Sequence, residues 1–168
     1  MRIFKEEQRF TQPLIIILLA TSLLVIIGIM VKEYTSENSN MRAVEMVTVI
    51  ASTMAAILPV FFFKLTTRID EKGIHYNFFP LQRKTKTILW TEIKSVSVRK
   101  YDALSEYGGW GLKGFLNRKK GKAVNVKGNI GIQLELKNTK KLLIGTQKEN
   151  DVKKVLETYQ HKTSNYEN

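Results

Sequence analysis

Two long apolar runs, followed by a change of period, divide this chain. Leu14 to Val31 is eighteen consecutive uncharged residues, mostly Leu and Ile, interrupted only by Ala20, Thr21, Ser22 and Gly28. As an α-helix it is about 27 Å long, close to the ~30 Å hydrocarbon core of a bilayer. A core helix of a small domain keeps a polar stripe, and this run has none. It predicts a transmembrane helix over residues 13–31, with Pro13 at the first helical position, where its missing N–H is no loss. A second run, Ala43 to Phe63, carries one charge, Glu45, in its first turn. It predicts a span over residues 43–64 that crosses back, with Glu45 as an interfacial anchor and a kink at Pro59. The polar residues 32–42 make the external loop of the hairpin. Ala51, Ser52, Ala55 and Ala56 recur at four-residue spacing, the small-residue pattern that lets another helix approach closely.

Residues 1–12 mix Ile3, Phe4 and Phe10 with Arg2, Lys5, Glu6, Glu7 and Arg9, and read as a cytoplasmic segment forming a short amphipathic turn. A cleaved signal peptide fits less well, because the apolar run is long and no small-x-small site follows Val31.

From Leu65 the pattern alternates. Leu65–Asp70 and Ile74–Phe79 flank Glu71-Lys72-Gly73 as a hairpin, with glycine supplying a positive φ. Ile88–Trp90, Ile93–Arg99, Ala123–Lys127, Ile130–Leu136 and Lys141–Ile144 are further strands; Ile130, Ile132, Leu134 and Leu136 share one face. Some six or seven short strands imply a small sandwich or barrel. Thr146-Gln147-Lys148-Glu149 has the form of a capping box, and Val152, Val155, Leu156 and Tyr159 then fall at i, i+3, i+4 and i+7. They predict a C-terminal helix closing one end of the barrel, before a polar tail over residues 161–168.

Charge sharpens the division. Before Lys64 five basic and five acidic residues cancel, so 22 of the 27 Lys and Arg, 10 of the 15 Asp and Glu, and the whole net +12 belong to the remainder. A basic domain held at a bilayer faces anionic headgroups first, and nucleic acid is not an expected partner. Lys64, Arg68 and Lys72 at one end and Arg2, Lys5 and Arg9 at the other outnumber Lys32 and Arg42 in the turn. The positive-inside rule then gives a multi-pass cell-membrane protein with both termini cytoplasmic. The absence of cysteine excludes disulfides, zinc knuckles and a Cys nucleophile.

Three stretches carry a family likeness: Ile88-Leu89-Trp90-Thr91-Glu92-Ile93, Glu106-Tyr107-Gly108-Gly109-Trp110-Gly111, and Gly131–Leu136 running on to Lys141-Leu142-Leu143-Ile144-Gly145-Thr146. With them, residues 65–160 resemble the bacterial pleckstrin-homology-like (PH-like) domains found beside transmembrane hairpins. The resemblance implies an α+β membrane protein: a two-helix hairpin, then a PH-like β-barrel of about seven strands capped by a C-terminal α-helix. It implies no catalytic residue, since a fold of this kind does not specify an activity.

Gly109, Gly111 and Gly114 spell GxGxxG. A dinucleotide site needs that loop to open a helix, and here a strand pattern follows; Phe115 stands where a P-loop would need lysine. The same segment sets Trp110 and Phe115, with Leu116, among Lys113, Arg118, Lys119, Lys120 and Lys122. Apolar tips among cations suit a lipid surface or a partner, unless Trp110 tucks into the domain and the lysines merely keep a loop solvated. His75 and His161 stand in no metal-ligand pattern, the carboxylates form no dyad and no GxSxG occurs. The expectation is a non-enzymatic protein with no catalytic, metal or cofactor site. Two functions remain: an interaction or assembly module that meets another membrane protein, or itself, through Ala51, Ser52, Ala55 and Ala56, and an anionic-lipid-binding module using residues 108–122.

Overall fold

The structure, a computed structural model, describes residues 2–37, 40–114, 121–163 and 165–166. It divides into two compact units, residues 10–62 and residues 1–9 with 63–168.

The first unit is helical: α1 (Pro13–Tyr34) and α2 (Ala43–Ile57), the latter prolonged by a 3-10 turn over Leu58–Phe62 that begins beside Pro59. Counting that turn, the helices are 22 and 20 residues long, long and apolar enough to cross a membrane. Neither contains a buried residue. The hydroxyls of Ser22, Thr48, Ser52 and Thr53 each donate to a carbonyl of the preceding turn at 2.7–2.9 Å, so they need no water. Glu45 accepts from the backbone N–H (3.3 Å) and Nε (2.9 Å) of Arg42, as befits a carboxylate at a helix entrance.

The second unit is α+β. Four antiparallel strands form one sheet in the order β1 (Phe4–Arg9), β2 (Lys64–Ile69), β3 (Gly73–Phe79), β4 (Lys86–Leu89). A second sheet runs β5 (Ile93–Lys100), β8 (Ile130–Leu136), β9 (Lys141–Gly145), β7 (Lys122–Asn125), β6 (Gly111–Lys113), with the two-residue β10 (Asn165–Tyr166) added beside β5. The expected barrel is therefore not closed. A 3-10 turn at Trp90–Glu92 takes the chain out of the first sheet before β5 begins, so β5 pairs with β8 instead of continuing from β4. β7 pairs parallel with β9, which comes after β8 in the chain.

The N-terminal segment is a strand, not an interfacial turn. Phe4↔Ile69 through Arg9↔Lys64 is an unbroken antiparallel register. Phe4, Glu6 and Gln8 point inward and Lys5, Glu7 and Arg9 outward; because two of the three inward residues are polar, no apolar alternation betrays the strand. Residues at the far end of the chain take up the Glu6 carboxylate and the Gln8 amide nitrogen, while Gln8 Oε1 is buried without a partner among the described residues. Gln8 Nε2 donates to the Gly145 carbonyl (2.8 Å), while Glu6 accepts from Thr146 Oγ1 (2.7 Å) and the Gln147 N–H (2.9 Å).

That engagement also dissolves the expected capping box. Thr146 serves Glu6, Glu149 pairs with Lys153 at 3.0 Å, and α4 starts only at Glu149, running to Tyr159. Its stripe Val152, Val155, Leu156 and Tyr159 is buried, and Tyr159 stacks on Trp90 at 5.4 Å between centroids. Leu65, Ile69, Ile74 and Phe78 from the first sheet and Ile93, Val96, Ile132, Leu134 and Ile144 from the second supply the rest of the core.

Candidate functional site

The glycine-rich segment leaves a short helix. α3 (Ala103–Tyr107) is capped at its start by Asp102, whose Oδ1 accepts from the N–H groups of Leu104 (2.8 Å) and Ser105 (3.1 Å). Gly108, left-handed at φ 71°, ends it. Arg99 ties this helix to the second sheet: its guanidinium reaches both Glu106 oxygens (2.8 and 3.2 Å), Tyr107 Oη (3.3 Å) and Gln133 Oε1 (3.1 Å).

Trp110 follows. It is half-buried against a satellite core of Tyr101, Ala103, Ala123 and Leu143, beside Tyr107, and its Nε1 lies 3.4 Å from the Gly128 carbonyl. Gly111, Gly114 and their neighbours open no helix. Residues 111–113 are β6, paired antiparallel with β7 so that Lys113 faces Ala123. Buried Asn125 fixes the start of β6, accepting from the Gly111 N–H (2.9 Å) and donating to Tyr101 Oη (3.0 Å). Burial raises the Tyr101 pKa, and the Asn125 hydrogen bond opposes the rise. Lys113 is half-exposed and Lys122 exposed; Phe115, Leu116, Arg118, Lys119 and Lys120 lie outside the described residues. Gly114 (φ 87°) and Gly121 (φ 81°) pinch the base of this loop, a Cβ on Gly114 overlapping the Gly121 carbonyl.

On the hairpin, α1 and α2 share a cleft of about 200 Å3, lined by Leu19 and Leu23 from α1 and by Met54, Ile57 and Phe61 from α2 and its 3-10 extension. At 100° per residue, Ala51, Ser52, Ala55 and Ala56 centre on the opposite side of α2, and all four are exposed.

No known protein family matches the chain, nor does any curated protein. The site must be judged on its own geometry.

A third locus escaped sequence reasoning. On the outer face of the first sheet, Lys5, Arg68, His75 and Thr87 are register neighbours across all four strands. Asp70, from the β2–β3 turn, forms an ion pair with Arg68 (Nε at 3.0 Å) and pairs with His75 Nε2 at 2.9 Å, while His75 Nδ1 lies 2.8 Å from Thr87 Oγ1. Burial of Asp70 works against ionisation, but the His75 hydrogen bond, the Lys72 N–H and the Arg68 charge outweigh it and hold the carboxyl below its ordinary 3.8. The row borders a cleft of about 540 Å3 with Ile3 and Tyr159 on its apolar wall. Polar alternation at Thr66, Arg68, His75 and Asn77 was visible in the sequence, but without β1 the row lacks its first member.

Proposed function

We propose that this chain is a membrane-anchored, non-enzymatic interaction module: a bacterial PH-like domain on a transmembrane hairpin, assembling with a membrane-protein partner through α2. The uncovered face of Ala51, Ser52, Ala55 and Ala56 carries the reading. Within the hairpin the larger side chains of α2 meet α1, and the small ones are left where a further helix could approach at close range. The register Arg9↔Lys64 supports the hairpin topology, since strand neighbours lie about 5 Å apart and the 54 residues between them must leave and return on one side. The excess of basic residues at that end supports a cytoplasmic position beside the cell membrane.

The test is the size of the complex extracted from membranes in mild detergent. Native electrophoresis should give a species well above the 19.3 kDa of one chain, and the double variant Ala51→Leu, Ala55→Leu should return it to the single-chain position. An extracted species already at single-chain size, or a complex indifferent to both leucines, would remove the assembly role.

The concentration of all the net charge beyond residue 63 favours a second reading, engagement of anionic lipid by the 108–122 segment. The packing of Trp110 on its satellite core leaves the lysines, not the indole, as the contacting groups. Energy transfer from a dye on the domain to labelled lipid should rise in anionic nanodiscs at low salt, and fall in Lys113→Gln, Lys122→Gln. Equal transfer in neutral and anionic discs would dismiss this reading and leave the assembly role untouched.

A further inference from the structure

The outer face of the first sheet aligns more cations than its carboxylates offset. Lys5 stands directly opposite Arg68, and Arg68 directly opposite His75. Lys5 and Arg68 are like charges in facing positions, a destabilising arrangement that a fold gains nothing by making. Asp70 compensates only part of the row: it engages Arg68 through Nε, and the terminal guanidinium nitrogens carry no hydrogen bond among the described residues. Glu71, the other acid at the cleft, is drawn to Lys162, whose Nζ lies 3.6 Å from its carboxylate and 3.1 Å from its carbonyl. Lys5 and Lys72 make no ion pair among the described residues.

One donor, Arg68, is also held in place by a fixed network. His75 is clamped at both nitrogens, by Asp70 and Thr87, and its side chain is only 16% exposed. Arg68 is anchored by Asp70 while its side chain stays 53% exposed. Pre-set donors lose little freedom when a ligand arrives, which favours binding. The surroundings of the carboxylate–imidazole–hydroxyl chain are cationic side chains rather than paired backbone amides, an arrangement suited to holding an anion rather than to polarising a carbonyl.

We infer that this cleft binds a phosphate group, with Arg68 and Lys5 as the principal ligands and Lys72 closing on it from the β2–β3 turn. Arginine offers a phosphate two parallel N–H donors, and lysine adds a point charge. The volume of about 540 Å3 and the apolar wall of Ile3 and Tyr159 leave room for an organic portion beyond the phosphate. That group belongs either to a soluble phosphorylated compound or to a lipid headgroup.

The experiment uses the full chain in nanodiscs of neutral lipid, titrated calorimetrically with inorganic pyrophosphate. Saturable binding is expected, weakened at least tenfold by Arg68→Gln and by Lys5→Gln separately and unchanged in Lys137→Gln, Lys140→Gln, two exposed positions away from the cleft. Lys5 is exposed and lies outside the Asp70 network, so its variant still decides if Arg68→Gln fails to fold. Repeating the titration in discs containing phosphatidic acid identifies the source. Undiminished pyrophosphate binding assigns the cleft to soluble phosphates, and suppressed binding assigns it to a lipid headgroup. The absence of saturable binding in neutral discs, or binding of equal strength in both cleft variants, overturns the inference.

Discussion

Asp70 links acidity to stability. Its carboxyl is held below the ordinary 3.8 in the folded chain, so the folded state binds fewer protons than the unfolded state in acid. The stabilisation is complete above that ordinary value and drains away as pH falls through the lower, folded value. Urea midpoints of the wild type should therefore fall more steeply below about pH 4 than those of Asp70→Asn, with the two curves parallel above about pH 5; parallel curves throughout would dismiss the linkage. Asn125 makes a different kind of contribution. It is fully buried between Tyr101 and the Gly111 N–H, and Asn125→Ala should lower unfolding free energy by about 1–3 kcal/mol by stranding a buried donor. Neither role was legible beforehand, because Asn125 depends on partners 14 and 24 positions away and Asp70 on the strand register that sets Arg68 opposite His75, whereas Val152, Val155, Leu156 and Tyr159 announced their burial through spacing alone.

Elements followed the same division. α1, α2, β2, β3, β8 and α4 were read correctly because each carries an apolar period of its own, 3.6 or 2, or an unbroken apolar run. β9 is buried on both faces, Leu143 under the satellite core and Leu142 and Ile144 on the other side, so it too reads as a continuous apolar run. α3 is too short to show a period; Asp102 and Gly108, its caps, were its only signal. β1 was hidden by Glu6 and Gln8 in inward positions. The 108–122 segment was legible as glycine-rich and basic, but not as a strand pair pinched by Gly114 and Gly121. Gly114→Ala would force a Cβ into the Gly121 carbonyl at a φ that L-residues avoid. Hydrogen exchange at paired β6 and β7 amides should accelerate severalfold, with β8 and β9 unchanged; uniform protection would show that the base of the loop yields without unpairing.

At the scale of the whole molecule, the globular unit is built from both sides of the hairpin in sequence. A fragment beginning at Leu65 lacks β1 and uncovers the edge of β2 and the turn at Thr146 and Gln147. It should aggregate or give broad amide resonances, and joining residues 2–9 to Lys64 through a short glycine linker should restore dispersed ones. A well-dispersed spectrum from the shorter fragment would mean that β1 is dispensable. Beyond the ladder of β1 with β2, hydrogen bonds from β1 and from the residues before it span 137 to 157 positions, from Gln8 to Gly145 and from Arg2 to Tyr159. During synthesis the first strand therefore waits about 3–11 s at ordinary elongation rates while the 54 residues between it and β2 are made, and longer still for Gly145, Thr146 and Tyr159. Its last partners arrive only with α4. The strand is thus fastened in two stages, along β2 first and only later by residues 145–159, so that its polar inner face stays open while the second sheet is being made.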